Sequence, residues 1–375
     1  MRFIHTSDWQ LGMTRALLHP EADARFGQAR IDAIKTIGQL ALEHRAQFIV
    51  VAGDVFESNQ LSQQTLMRAL DALEQVSVPI FLLPGNHDPL DGTAIFDSPA
   101  FAQCGDHIVV IRDQRPQPVP GLDNVEVVGA PWFSKAPSED LCGAMAAATE
   151  PAEAGTLRIA LAHGQVDAMS PDANQAALID LQRAERALAE GRFHYLALGD
   201  RHSVTEVGGS GRIWFSGAPV ATAFDEQQPN QALLVSLDEH QCQVEPLDTG
   251  AWQFIAEHRD MNSSDDVAAL QAWLAALPNK ERTALKIGFT GTVNLATDAQ
   301  LATLLEEQAP LFASLKRRAR TSKLAIIPDA LDEDTVSLSG YARSTWNDLQ
   351  EQALAGDSEA KEALRLLYRL SGQSV

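Results

Sequence analysis

Residues Gln47-Phe48-Ile49-Val50-Val51-Ala52-Gly53-Asp54 form a short apolar run that breaks at a glycine and ends in a carboxylate. A run of consecutive apolar positions has no polar face, which suits a strand covered on both sides of a sheet. The same pattern returns at Pro79-Ile80-Phe81-Leu82-Leu83, leading into Pro84-Gly85-Asn86-His87-Asp88. It also opens the chain, where Arg2 to Thr6 leads into Ser7-Asp8-Trp9-Gln10-Leu11-Gly12. Between these runs, Ile31, Ile34, Ile37 and Ala41 recur at helical spacing from about Phe26 to Arg45, and Leu66, Leu70 and Leu73 do so from about Ser62 to Gln75. Each spacing places apolar side chains on one face of a helix. The order strand, helix, strand, helix, strand predicts a βαβαβ unit with parallel strands.

Working outward, His107 to Ile111 and Val125 to Val128 read as strands, and Arg158 to Ala162 is a strand ending at His163-Gly164. A helix from about Ala176 to Glu190 precedes His194 to Leu198, which ends at Gly199-Asp200-Arg201-His202. The pattern then changes: Arg212 to Phe215, Ala232 to Leu237 and Cys242 to Leu247 are short runs joined by turn residues, which predicts an antiparallel second sheet. Near Trp252 the chain leaves this body, so the expected division is a catalytic domain over 1–250 and a smaller α+β capping region over 251–375. In that region Asp265 to Ala276 and Asp298 to Arg318 read as helices around a strand at Ala284 to Thr290. Acid-rich Pro328 to Asp334 and an amphipathic helix over Ser358 to Arg369 close the chain.

The 375 residues carry 29 basic and 50 acidic side chains, a net charge of −21. Residues 251–375 hold 13 basic and 17 acidic groups, so −17 of that charge falls on the first 250 residues. A protein this acidic has no long-range attraction for polyanions, which argues against a free-standing DNA binder and asks for metal ions, a local basic patch or a partner. Lys316-Arg317-Arg318 with Arg320 is the densest basic cluster, and at a helix end it would complement the macrodipole. Hydrophobic residues make up 45% and charged residues 21%, which excludes collagen-like and disordered compositions. Cys104, Cys142 and Cys242 form no Cys-x-x-Cys pair, so a zinc-thiolate site is not expected. The absence of a long apolar run and of an export-type leader predicts a cytoplasmic protein with no membrane span.

The strands deliver Asp8, Asp54, Asn86, His87, His163, Asp200 and His202 to the loops at their carboxyl ends. In a mainly parallel sheet those loops share one edge, so residues distant in sequence can converge. Oxygen ligands suit hard divalent ions and imidazole draws in manganese, iron or zinc, so a mixed Asp, Asn and His set suits a pair of borderline ions. Two close ions need a carboxylate that touches both, and Asp54, with Gly53 before it allowing close approach, is the candidate bridge. His5 and His194 lie within strands before the site and read as core residues or as supports behind the ligands. His19, His44, His240 and His258 read as surface residues, and Gly105-Asp106-His107 reads as a turn.

Asp8-Trp9-Gln10, Gly53-Asp54, Gly85-Asn86-His87-Asp88, His163-Gly164 and Gly199-Asp200-x-His202 resemble, in order and spacing, the motifs of the calcineurin-like metallophosphoesterases. His5-Thr6-Ser7-Asp8-Trp9-x-Leu11-Gly12 and Phe215-Ser216-Gly217-Ala218-Pro219 resemble the SbcD-type DNA-repair exonucleases within that superfamily. The motifs cover residues 1 to about 225. The resemblance implies a two-sheet αββα sandwich of α/β class with a smaller α+β capping domain. It also implies two divalent ions, manganese first, with magnesium, iron or zinc as alternatives. Asp8 and His202 would hold the first ion and Asn86 and His163 the second, with Asp54 shared. His87 would act at the phosphate as general acid or charge stabiliser, oriented by Asp88.

Two positions depart from the family pattern, which has His where this chain has Gln10 and Asp200. Asp200 can still bind the second ion. The neutral Gln10 amide is a weaker ligand, so the first position is expected to bind with lower affinity. The implied activity is DNA phosphodiester hydrolysis in double-strand-break repair, with DNA and an SbcC-like coiled-coil ATPase as partners; a homodimer is compatible with it. The alternatives are a phosphodiesterase or phosphatase acting on a small phosphorylated substrate, and a catalytically weak binding module of an ATPase complex.

Overall fold

The computed structural model describes residues 1–170, 175–318, 322–327 and 340–355, together with positions 320, 357, 359, 360, 363 and 367. The acid-rich segment 328–334 and most of the helix expected over 358–369 lie outside the described residues. The chain forms two compact units, the first comprising Met1–Ala16 and Pro20–Gln253, the second Leu17–His19 and Phe254–Val375.

The first unit contains, in chain order, β1 (Arg2–Thr6), α1 (Pro20–Glu43), β2 (Ile49–Val51), α2 (Gln63–Glu74), β3 (Ile80–Leu82), β4 (Ile108–Val110), β5 (Gln117–Pro118), β6 (Val125–Gly129), α3 (Leu141–Ala148), β7 (Leu157–His163), α4 (Leu181–Ala189), β8 (Tyr195–Gly199), β9 (Val204–Val207), β10 (Ile213–Ser216), β11 (Gln231–Leu237) and β12 (Cys242–Asp248). One sheet runs β12-β11-β1-β2-β3-β4 and the other β5-β6-β7-β8-β10-β9. The βαβαβ unit is present, with β1, β2 and β3 parallel and β4 added beside β3. α1 starts earlier than the apolar repeat suggests because Pro20 presets the first helical turn, where Glu21 and Asp23 also meet the positive end of the dipole. At α2, Ser62 caps the first turn, its Oγ accepting the Thr65 N–H at 3.1 Å.

The expected antiparallel second sheet is not what these strands build. β10 pairs parallel with β8, while β11 and β12 form a hairpin that returns to the first sheet, antiparallel to β1. Turn residues between strands report local reversals but carry no information about which sheet receives the reversed strand.

Alternation along each strand explains the layers. Ile4, Ile49 and Val51 face Ile34, Ile37, Leu66 and Leu70 of the first helical layer. Phe3, Phe48, Val50 and Phe81 point the other way, meeting Val127, Ile159, Leu161 and Ala197 between the sheets. On the far side, Val128, Ala160, Leu196 and Leu198 pack on Cys142, Met145, Ala184 and Ala187. The result is an αββα sandwich whose central layer is purely sheet on sheet. Each fully buried Val, Leu, Ile or Phe in it contributes about 1.5–3 kcal/mol.

His5 sits in that central layer, fully buried, with Nδ1 3.0 Å from the Tyr195 hydroxyl and Nε2 3.2 Å from the Leu198 carbonyl. Burial pushes its pKa down to about 3, against the Leu198 bond, which favours the charged form. The unfolded chain takes up a proton at this residue below pH about 6.5, whereas the folded chain does not until about pH 3. Its contribution to stability is therefore intact above the higher value and is lost progressively as the pH falls toward the lower one. His5→Phe is expected to flatten the urea-unfolding free energy against pH by about 1.4 kcal/mol per pH unit within that window; parallel curves for variant and wild type would contradict the buried neutral ring.

In the second unit, β13 (Gln253–Met261), β14 (Thr283–Asn294), β15 (Ser314–Arg317) and β16 (Lys323–Ile327) form a small sheet with β14 central, beside α5 (Ser264–Ala276) and α6 (Leu295–Gln308); α7 (Tyr341–Leu354) follows. The helix expected to run to Arg318 ends at Gln308, broken by a turn over Ala309–Leu311 that contains Pro310. Lys316 and Arg317 therefore lie on a strand, parallel to β14, and Arg318 just beyond it; the macrodipole account of that basic cluster falls. Arg317 instead lies 5.6 Å over the Phe289 ring and 3.9 Å from Asp298. Among the described residues, no helix is long and apolar enough to cross a membrane.

Candidate active site

Asp8 follows β1, Asp54 follows β2, and Asn86, His87 and Asp88 follow β3; His163 ends β7, and Asp200 and His202 follow β8. The two sheets thus bring their carboxyl ends to one rim. The loops are locked to one another through the backbone: Asp8 N–H donates to the Gly53 carbonyl at 3.0 Å, and Gln10 N–H to the Asp54 carbonyl at 2.8 Å. Asp8, Gln10, Asp54 and Asp200 all adopt left-handed backbone conformations, with φ of 53°, 43°, 53° and 96°. Non-glycine residues rarely do so, and such strain collects at functional sites. Close packing also explains Gly53 and Gly85. A Cβ at the first would run into the His163 imidazole and one at the second into the Asp54 carboxylate.

At the centre, ligand atoms of Asp8, Asp54 and His163 lie within 4.8 Å of one another, all three residues buried. His163 Nδ1 is 2.9 Å from the Ala52 carbonyl, so that nitrogen carries the proton and Nε2 faces the site. There Nε2 lies 2.8 Å from Asn86 Oδ1, 3.4 Å from Asp54 Oδ1 and 3.8 Å from Asp200 Oδ1. His202 Nε2 is 3.7 Å from Asp8 Oδ1 and 3.5 Å from Gln10 Nε2. Gln10 Oε1 is buried with no hydrogen-bond partner. Ser7 Oγ donates to Asp8 Oδ2 at 2.6 Å, and the Asp200 N–H lies 3.1 Å from the same oxygen.

Charge is concentrated here. Burial pushes the Asp8 carboxyl above its ordinary range, with His202 and His163 pulling it back. Burial likewise opposes the charge on Asp54, yet His163 and His87 hold its carboxyl below that range. The His163 ring is disfavoured as a cation by burial, but Asp54, Asp8 and Asp200 outweigh this and raise it well above an ordinary histidine. Clustered carboxylates, an amide oxygen aimed at an imidazole nitrogen and an orphaned buried amide oxygen form a donor set suited to a cation. Divalent ions fit it.

His87 is anchored from two sides, its N–H donating to Asp54 Oδ1 at 3.0 Å and its Nδ1 lying 3.0 Å from the Glu57 carbonyl oxygen. Its Nε2 is 3.9 Å from Asp54 Oδ2, and Glu57 Oε2 lies 3.8 Å from Nδ1. The ring is about a third exposed, at 36%. The expectation that Asp88 orients His87 needs correction. Asp88 is buried and bonds backbone instead, Oδ1 accepting the Gly85 N–H at 2.7 Å and Oδ2 the Phe56 N–H at 2.9 Å. Burial, aided by the neighbouring charge of Asp54, pushes its pKa up to about 7 against those two bonds. Asp88 shapes the turn that presents Asn86 and His87, and the Glu57 carbonyl sets the ring. Sequence reading missed Glu57, and also Thr222 and Glu226, which pack behind His202; each lies several residues past the strand that precedes it.

Trp9 and Trp132 are packing residues. Trp9 Nε1 donates to Thr6 Oγ1 at 2.9 Å, and Trp132 Nε1 to the His163 carbonyl at 2.9 Å, bracing the strand end that carries that ring. A cavity of about 430 Å³ adjoins Asp200 and His202, lined also by Arg15, Arg201, Met169 and Phe215.

Residues 1–230 match the family model described as calcineurin-like phosphoesterase. The chain belongs to that family. Members are metal-dependent phosphoester hydrolases, and this calcineurin-like phosphoesterase has curated relatives among nucleases. It is 28% identical over 256 residues to the SbcD component of nuclease SbcCD of Escherichia coli (strain K12), covering 60% of this chain and 62% of that one. To the protein of the same name from Rhodobacter capsulatus it is 24% identical over 357 residues, covering 74% and 85%. Over 91 residues it is 33% identical to the DNA double-strand break repair protein Mre11 of Archaeoglobus fulgidus, 24% of this chain and 19% of that one. The chain thus spans less than two thirds of its Escherichia coli relative.

Proposed function

We propose that this phosphoesterase is a two-cation DNA nuclease of SbcD type. Asp54 carries the reading: it is buried at the shared rim with ligand atoms of both Asp8 and His163 within 4.8 Å, and its carboxylate accepts the N–H of His87. Asp8, Gln10 and His202 would hold one divalent ion, Asn86, His163 and Asp200 the other, with Asp54 common to both. Such a pair supplies an ionised nucleophile and neutralises charge that develops on the phosphoryl oxygens.

The chain's own residues do the rest. The Ala52 carbonyl fixes His163 with Nε2 inward, and the Glu57 carbonyl fixes His87 with Nε2 3.9 Å from Asp54 Oδ2. With Nδ1–H on that carbonyl, the ring would act as general acid in its doubly protonated form, giving up the Nε2 proton to the departing oxygen of a phosphodiester. Arg15 and Arg201 beside the cavity offer positive charge to a substrate phosphate. The second unit, with Lys316, Arg317 and Arg318 at one strand, is proposed to contact DNA or a partner protein. An ATPase partner agrees with the relatives' naming as one component of a nuclease and with an acidity that leaves little intrinsic pull on DNA.

The test is direct. Purified protein with manganese is expected to degrade linear duplex DNA, and chelation to stop it. Turnover of a small phosphodiester with no action on DNA, even when a coiled-coil ATPase partner is added, would move the assignment to small phosphorylated substrates. Absence of manganese uptake would leave a binding module.

A further inference from the structure

Behind His202, Thr222 and Glu226 form a hydrogen-bonded pair that the strand-end residues do not account for. Glu226 Oε1 lies 3.1 Å from His202 Nδ1 and accepts the Thr222 hydroxyl, while Oε2 accepts the Thr222 backbone N–H at 2.8 Å. Thr222 Oγ1 is itself 2.7 Å from the same ring nitrogen. The Glu226 side chain is 5% exposed. Gln227 N–H donates to Ser203 Oγ at 2.8 Å, which ties this segment to the residue after His202.

Counting protons fixes the tautomer. An ionised carboxylate only accepts, and the single hydroxyl proton of Thr222 goes to Glu226. Neither neighbour has a proton left for His202 Nδ1, so Nδ1 must carry its own. The other nitrogen, Nε2, then faces Asp8 and Gln10. A carboxylate that accepts the far N–H of a ligating histidine fixes its ring and makes the near nitrogen a stronger donor.

We propose that Glu226 is a positioning residue that, with Thr222, sets the tautomer and orientation of His202 and so sustains the first cation position, where the Gln10 amide is a weak donor. The inference rests on the two-cation reading above. It explains why a buried carboxylate stands behind His202 in a site already rich in negative charge. His163, by contrast, is held by a neutral carbonyl and shares its cation position with Asn86, Asp200 and Asp54.

The test uses the full chain with manganese as probe, followed by calorimetry and by the paramagnetic resonance of the bound ions. Wild type is expected to bind two ions. Glu226→Gln is expected to weaken one of them by about 10- to 100-fold and leave the other unchanged. Glu226→Asp, which keeps the carboxylate, should recover part of the loss and serves also if the glutamine variant folds poorly. A second readout needs no metal: in histidine-selective 15N spectra of the metal-free protein, His202 should show the Nδ1–H pattern in wild type and lose it in Glu226→Gln. Two ions bound equally by wild type and Glu226→Gln, or an Nε2–H pattern in wild type, would overturn the role of Glu226 alone. A wild type that binds no manganese would instead overturn the two-cation reading on which it rests.

Discussion

Asp54→Ala is expected to abolish stable cation uptake at both positions and to slow DNA hydrolysis by at least about 10³-fold, while leaving the fold intact. In the proposed arrangement every other ligand serves one position and Asp54 serves both, its ligand atoms lying within 4.8 Å of those of Asp8 and His163. The loops would survive its loss because they are joined by main chain: Gln10 N–H to the Asp54 carbonyl, and Asp8 N–H to the Gly53 carbonyl. Removing the carboxylate also relieves a like charge that raises Asp8 and Asp88. Against that, the carboxylate is itself held below its ordinary range by His163 and His87, so the metal-free variant should be modestly less stable than metal-free wild type yet still fold. Asn86→Ala is the contrast and should weaken one position only. The measurements are manganese per chain after dialysis and thermal unfolding in chelator; a variant that still retains two ions would remove Asp54 from its shared place.

The parts of this site that sequence made legible share a physical cause. β1, β2, β3, β7 and β8 are buried on both faces, so each reads as a mainly apolar run, and the polar residues that end it mark the rim. Asp8, Asp54, Asn86, His163 and Asp200 were visible for that reason. Pairing beyond these strands was not. Nothing in the pattern of β11 and β12 says that they return to β1, because strand partners are set by tertiary packing while turn residues report only a local reversal. The helical reading through Arg318 failed for a related reason: Phe312 and Ala313 are buried beside a short strand whose apolar spacing is too brief to show its period. Supporting residues were hidden too. Glu226 acts from far along the loop between β10 and β11, well past the strand end, and Glu57 acts through its backbone carbonyl, which no side-chain motif records. Asp88 shows the opposite error, since the family resemblance implied a partnership with His87 that the turn prevents by aiming the carboxylate at the Gly85 and Phe56 amides.

His87→Ala is expected to reduce DNA hydrolysis by about 10²- to 10⁴-fold with manganese content unchanged. The separation of the two effects follows from geometry. The ring Nε2 lies 3.9 Å from Asp54 Oδ2, and the Asp54 contact at 3.0 Å is made by the backbone N–H, which alanine keeps. Proton donation and charge stabilisation by this ring predict different substrate dependence. The sugar oxygen that leaves from DNA is a poor leaving group and needs a proton, whereas an aryl oxygen leaves without one. If His87 supplies that proton, the variant should lose far less on a bis-nitrophenyl phosphate than on DNA. Equal losses on both would assign the ring to stabilising charge on the phosphoryl group instead, and a fall in bound manganese would place it among the ligands. Glu57 sharpens the comparison. Its contact with the ring at 3.0 Å is through a carbonyl that substitution does not remove, while its carboxylate lies at 3.8 Å. Glu57→Gln should therefore keep the ring in place and shift activity much less than His87→Ala does, because orientation here is a property of the backbone.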